Sequence, residues 1–193
     1  MTRILILGGS YFIGKKTVGI LKKRLSDAEV IIANRGTKSP PTIVVDRNNY
    51  QSCSKLQGMH FELVVDFSAY TKDHLSNILR NIQCDYYCFL SSGRAENPDI
   101  EDQYGVNKRD CENILMEQVD NYLIIRAGYV VGEGDYTERF IRHPTGDVYC
   151  HKDRPELVRQ CISVDLLAST LVNLITIQKT GVISLGYFSS HRG

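Results

Sequence analysis

Apolar residues follow two rhythms in this chain, and the alternation between them predicts the architecture. Ile4 to Leu7 are uninterrupted, as in a strand buried on both faces of a parallel sheet. Gly8 and Gly9 break that run. From Ile13 onward, Thr17, Leu21 and Leu25 recur every fourth residue with Val18 beside them, while Lys15, Lys16, Lys22, Lys23 and Arg24 fall mostly elsewhere, as in an amphipathic helix. The same exchange continues along the chain. Glu29 to Ala33, Thr42 to Val45, Glu62 to Asp66, Asp85 to Leu90, Tyr122 to Ile125 and Val182 to Leu185 read as strands, with Leu157 to Cys161 as a further candidate. Tyr50 to Leu56 reads as a short helix, and Thr71 caps another running to about Ile82, with Leu75, Ile78, Leu79 and Ile82 on one face. Helices follow from Tyr104 through Leu115 and from Val164 to Ile177. Between them lie an acidic loop from Gly93 to Gln103 and a polar, irregular stretch from Glu133 to Glu156. Strands alternating with helices predict an α/β protein built on a doubly wound parallel sheet.

Length and composition narrow this without redirecting it. A chain of 193 residues is expected to form one domain with a proper core, residues 133–193 making a small substrate-side region. The formal net charge of +1 argues against a general binder of nucleic acid or membrane surfaces. The longest apolar runs are strand-length and no signal-peptide core precedes the first strand, so a cytoplasmic protein without membrane spans is expected. Six cysteines (53, 84, 88, 111, 150 and 161) show no paired C-x-x-C spacing and read as reduced, mostly buried residues; no metal site is expected.

Chemistry enters at the turns. A strand, a glycine turn and a helix form half of a nucleotide-binding βαβ unit, in which the helix N-terminus faces a pyrophosphate and glycines let the backbone approach it. Gly8 and Gly14 hold the outer places of a G-x-x-G-x-x-G pattern, and Tyr11 stands at the middle one, where its side chain must point away or partly cover the site. The expectation is that it swings aside. Asn34-Arg35-Gly36 ends the second strand with an arginine and no acid, which favours a 2′-phosphate, and so NADP over NAD. Asp46, at the end of the third strand, is placed either to reach an adenine amino group or to cap a helix. The fifth strand delivers Ser91 and Ser92, and Tyr104 and Lys108 lie four apart on one helical face. A lysine ammonium beside a phenol stabilises phenolate, so the tyrosine can act as general acid or base while a serine hydroxyl orients the substrate oxygen.

With those residues in place, the chain resembles the short-chain dehydrogenase/reductases, specifically the extended and atypical NAD-dependent epimerase/dehydratases. The likeness runs through Gly8-Gly-Ser-Tyr-Phe-Ile-Gly14, Asn34-Arg-Gly36, Asp46-Arg47, Val65-Asp-Phe-Ser-Ala-Tyr70, Phe89-Leu-Ser-Ser92, Tyr104-x-x-x-Lys108, Arg126-Ala-Gly-Tyr-Val-Val-Gly132 and Cys161-Ile-Ser-Val-Asp-Leu-Leu167. The replaced middle glycine and the Asn-Arg-Gly resemble in particular the subgroup holding chloroplast stem-loop-binding proteins and their bacterial relatives. The resemblance implies a Rossmann-type sheet with a reduced C-terminal substrate-binding region. It implies an NADP or NAD site lined by Gly8, Ser10, Tyr11, Phe12, Ile13, Gly14, Asn34, Arg35, Asp46, Ser68, Ala69, Ser91 and Lys108. Tyr104 would be the acid/base, Lys108 its partner and Ser92 the substrate-orienting hydroxyl, acting on a nucleotide-sugar or another small carbonyl or alcohol. Arg126-Ala-Gly and Gly132-Glu-Gly-Asp135 depart from the family's Arg-Pro-Gly and Gly-Pro-Gly-Asp, so the substrate-side loop differs. A homodimer through the Tyr–Lys helix is a further implication. The competing expectation is a cofactor-binding sensor or RNA-associated protein without turnover, against which the near-neutral charge counts.

Overall fold

The computed structural model describes residues 2–37, 39–135, 140–142, 149–152, 154–159 and 161–186. Seven parallel strands make the main sheet: β1 (Arg3–Leu7), β2 (Glu29–Asn34), β3 (Ile43–Val44), β4 (Leu63–Asp66), β5 (Tyr87–Ser92), β6 (Tyr122–Ala127) and β7 (Gly181–Leu185), in the order β7-β6-β5-β4-β1-β2-β3. The chain winds outward from β1 through β2 to β3, returns to lay β4 on the other flank of β1, and winds outward again to β7. The order therefore reverses between β1 and β4. This is a doubly wound Rossmann-type sheet, and the reversal opens a crevice at the carboxyl ends of those two strands.

The pleat explains why the strands are apolar throughout. Leu5, Leu7, Val64, Tyr87, Phe89 and Ile124 face one layer, with α2 (Lys72–Leu79) and α3 (Gln103–Gln118) contributing Leu75, Ile78, Cys111 and Leu115. Ile4, Ile6, Val65, Cys88, Leu90 and Ile125 face the other, against Val18 and Leu21 of α1 (Phe12–Arg24) and Leu167, Leu171 and Ile175 of α4 (Val164–Thr176). Both faces are covered, so neither can be polar.

Several boundaries differ from the sequence expectation, each for a local reason. Thr71 caps α2 through His74 N–H, but the helix ends at Leu79. Arg80 and Asn81 close it, Asn81 donating to the Asn77 carbonyl, and Ile82 opens a short strand, Ile82–Cys84, paired with Met59–Phe61. The segment expected as a helix over 50–56 is one α turn, Tyr50–Cys53, tightening into a 3-10 turn, Ser54–Leu56; its cap is Asn49, not Asp46. Gly93–Ala95 forms a 3-10 turn inside the acidic loop. The stretch expected to be irregular after Glu133 contains antiparallel strands Phe140–Arg142, Tyr149–His151 and Arg154–Arg159, the last beginning before the expected 157–161; residues 136–139, 143–148, 153 and 160 lie outside the described residues. Cys53, Cys88 and Cys111 are buried, Cys84 and Cys161 half-buried, and all five are free thiols; the side chain of Cys150 is not among the described residues. No helix among the described residues is long and apolar enough to cross a membrane.

Candidate active site at the switch point

The crevice divides into two adjoining clefts of about 240 and 450 Å³, which share Gly8, Tyr11, Ser68 and Tyr70. The glycine turn forms their common floor. Gly8 has φ +84°, and a Cβ there would lie 2.8 Å from that of Ser68 across the switch point. At Gly14 a Cβ would stand 2.5 Å from the Gly8 carbonyl oxygen, so any other residue would force the turn open. Tyr11 is the N-cap of α1 and makes no capping hydrogen bond with its side chain, while Phe12 is held at φ +42°, a conformation that costs an L-residue energy. No side chain at the cap position thus competes for the first-turn N–H groups of α1, whose partial positive charge faces the crevice.

The smaller cleft is organised by hydrogen bonds between side chains. Asn34 donates from Nδ2 to Ser10 Oγ at 2.5 Å and accepts Gly36 N–H at 2.7 Å, which leaves the exposed Arg35 side chain at the cleft wall. Asp46 accepts both the backbone N–H and Nδ2 of Asn48, at 3.0 Å each, and these bonds with the nearby Arg35 charge hold its carboxyl below the usual range. His74 receives Tyr70 N–H on Nδ1, so Nε2 carries the proton and donates to Asn48 Oδ1 at 2.9 Å. Burial, and the Arg47 charge after it, push its pKa down and favour that neutral form. Sequence reasoning did not select His74 or Arg47 as site residues: Arg47 entered only as part of the Asp46-Arg47 motif, and His74, a single residue at a helix start, carried no signal.

Behind this cleft lies a buried ion pair. Arg47 Nη2 donates to Asp66 Oδ2 at 2.6 Å, and Asp66, fully buried, also accepts from Tyr87 Oη and from the N–H groups of Ser68 and Ala69. The turn shaped by those two N–H bonds presents the Ala69 carbonyl to the larger cleft. There Lys108, 3 % exposed, donates to Ala69 O at 2.8 Å and Leu90 O at 2.9 Å. Its ammonium also lies 5.0 Å from the Tyr70 ring centre and 4.7 Å from that of Phe89. Burial lowers its pKa from the ordinary 10.5 to about 8.

Ser92, Tyr104 and Lys108 all line the larger cleft, together with Gly8, Tyr11, Phe12, Ile13, Gly14, Ser68 and Ser91. Ser10, Asn34, Arg35 and Asp46 line the smaller one. Ala69 lines neither and acts through its carbonyl. Ser92 Oγ accepts Arg94 N–H at 3.3 Å, which leaves its own proton to donate. Ser91 gives its proton to Glu112 at 2.5 Å; that buried carboxylate is also held by Arg126, so Ser91 serves to fasten α3 against β5. The start of α3 is set by Asp102, which accepts Gly105 N–H and is gripped by the guanidinium of Arg94, itself 5.3 Å from the Tyr104 ring centre. Gly105 allows the Arg94 carbonyl oxygen to come within 2.6 Å of where a Cβ would stand. Among the described residues no cluster of His, Cys, Asp or Glu has the geometry of a metal site.

No family model matches the sequence, and no curated protein matches it. Solved structures do. A dTDP-4-dehydrorhamnose reductase from Clostridium acetobutylicum superposes with a TM-score of 0.66 over 97 % of this chain and 75 % of its own, at 16 % identity. A wide-type short-chain dehydrogenase/reductase from Veillonella parvula, solved with NADP, gives 0.63 over 98 % and 96 % at 17 % identity. The fold is that of the short-chain dehydrogenase/reductases. A UDP-N-acetylglucosamine 4-epimerase from Bacillus cereus also superposes on this chain, with a TM-score of 0.64 over 96 % and 78 % at 17 % identity. At such identities the likeness speaks for the backbone, and the chemistry rests on the residues in the crevice.

Proposed function

We propose that this chain is an NADP-preferring oxidoreductase or epimerase of the cytoplasm, exchanging hydride with a small carbonyl or alcohol substrate, a nucleotide-sugar among the candidates. The observation that carries the reading is that Ser92, Tyr104 and Lys108, from two elements, line one cleft whose floor is the glycine turn. The crevice also fits a dinucleotide on grounds of its own. The N-terminus of α1, with no side-chain cap, suits a pyrophosphate, the close Gly8–Gly14 approach clears space for it, and Arg35 with Asp46 suits a 2′-phosphorylated adenosine. Bound there, NADPH would supply the hydride. Ser92 would hold the substrate oxygen by a hydrogen bond from its hydroxyl, Tyr104 would deliver the one proton that oxygen takes up, and the Lys108 ammonium would stabilise the phenolate left behind. The fold's likeness to a reductase solved with NADP supports the cofactor class.

Titration of the protein with NADPH, followed by nicotinamide fluorescence, tests the premise: saturation is expected at micromolar concentrations, and no binding at millimolar cofactor overturns it. A second reading, a cofactor-binding protein without turnover, is favoured by one feature. Lys108 already gives two hydrogen bonds to backbone carbonyls. A cofactor-dependent activity lost in Tyr104→Phe with cofactor binding intact would decide for the enzyme. Sedimentation would test the homodimer that pairing through α3 would make.

A further inference from the structure

We infer that Tyr70 is a further positioning residue of this site, its ring holding the Lys108 ammonium in place and in charged form. The inference rests on the hydride-transfer reading above and adds a side chain to the Ser92, Tyr104 and Lys108 set. Tyr70 follows β4 on the turn that Asp66 shapes, and it lines both clefts. Lys108 Nζ stands over its ring, 5.0 Å from the centre, and the Tyr104 ring centre is 6.3 Å away, inside the range of an aromatic pair. One side chain thus reaches both the acid and the cation. The backbone around it serves the same ammonium. The carbonyl of Ala69, one residue earlier, accepts from Lys108 Nζ at 2.8 Å, and Tyr70 N–H donates to His74 Nδ1 near the start of α2. Asp66 before the turn and His74 after it fix its shape, and residues 69 and 70 hold Lys108 with a carbonyl and a ring face.

The balance of charge around Lys108 gives this contact its weight. Burial brings its pKa down to about 8, so its charge is decided by small effects. Asp66 of β4 and Cys111 and Glu112 of α3 favour the charged form, Arg47 opposes it, and Tyr104 stands one turn earlier on α3. On β5, Tyr87 is tied to Asp66, and Phe89 brings a second ring to 4.7 Å from the ammonium. Phe89 is part of the core, whereas Tyr70 is 47 % exposed and can be altered without opening it. A partly exposed cation–ring contact moves a lysine by about half a pH unit. A lysine titrating at the ordinary 10.5 would stay almost fully charged at pH 8 after such a shift, but Lys108 would fall from about half charged to about a quarter. Without that charge it does not stabilise the phenolate that Tyr104 leaves.

NMR on the full chain, labelled at lysine, tests this without a substrate. The Lys108 Cε resonance, identified by its loss in Lys108→Arg, is titrated with pH in the parent, in Tyr70→Leu and in Tyr70→Phe. Tyr70→Leu keeps an apolar cover but has no π face, and its midpoint should fall by about half a unit; Tyr70→Phe should keep the parent value. The sign separates the ring's attraction from simple shielding, because a side chain that only excluded water would let the midpoint rise when it is cut back. A midpoint unchanged or raised in Tyr70→Leu overturns the inference, and so does a fall in Tyr70→Phe equal to that in Tyr70→Leu; both leave the hydride-transfer reading standing. The expected shift in a chain that binds no NADPH at millimolar concentration supports the ring's hold on Lys108 and overturns the hydride-transfer reading instead.

Discussion

The two halves of the crevice are built on opposite principles. In the smaller cleft polar side chains are held by one another: Ser10 by Asn34, Asp46 by Asn48, His74 by Asn48. In the larger one the two groups set nearest the reaction are held by backbone, Lys108 by two carbonyls and Ser92 by the Arg94 N–H, among aromatic rings, while Ser91 and Arg94 are tied to Glu112 and Asp102. The first arrangement suits a ligand recognised by many hydrogen bonds at low energetic risk, since each group keeps contact with water. The second suits a reaction, because a charge placed among rings is felt more strongly than one in solvent. The difference teaches how one crevice can separate affinity from chemistry. Asp66 joins the halves, holding Arg47 on one side and shaping the turn that carries Ala69 on the other.

Four changes would break or sharpen that contrast. Tyr104→Phe strikes only the aromatic half: turnover should fall about a thousandfold with the NADPH dissociation constant unchanged within about twofold, read by steady-state kinetics beside a fluorescence titration. Asp66→Asn strikes the joint. It leaves the Arg47 guanidinium buried without its counter-ion, and a loss of about 3–5 kcal/mol in urea unfolding is expected, with both halves affected together. The pH dependence of stability isolates Lys108. Its folded pKa of about 8 lies below the ordinary 10.5, so between those values the unfolded chain holds a proton that the folded chain has released. Stability from this residue is therefore flat below about pH 8 and rises as pH climbs toward 10.5. Relative to Lys108→Met, the chain should gain on the order of 2 kcal/mol between pH 7 and pH 10. Arg35→Ala touches only the polar half: NADPH affinity should drop about tenfold and NADH affinity change less than about twofold.

The sequence carries the sheet because both its faces are covered, which makes each strand a run of apolar residues that periodicity detects. It carries Tyr104 and Lys108 for a similar reason, since four residues is one helical turn. What it hides are pairings between distant segments. Nothing local tells that Arg47 finds Asp66, that Asp102 takes Arg94, or that Ser91 spends its hydroxyl on Glu112. Ile82 continues the apolar spacing of α2 and yet begins a strand, because Asn81 folds back on Asn77 and a partner strand waits at Met59–Phe61. Of the strands between 140 and 159 only the last was legible, through Leu157 and Val158; the other two are three residues each, too short for a period to show. Tyr11 is the mixed case. Its position was legible, and the structure places it, more than a third exposed, on the boundary shared by both clefts.

Gly105 has a consequence for anyone mapping this protein by mutation. It holds no reacting atom, yet the Arg94 carbonyl and the Asp102 carboxylate occupy the space where a side chain would grow, 2.6 and 2.8 Å from its Cβ. Any replacement pushes apart the Arg94 turn and the first turn of α3, and carries Tyr104 with it. A saturation library scored on activity alone would therefore rank residue 105 beside the acid it follows, and a survey of such scores would mistake a spacer for a catalyst.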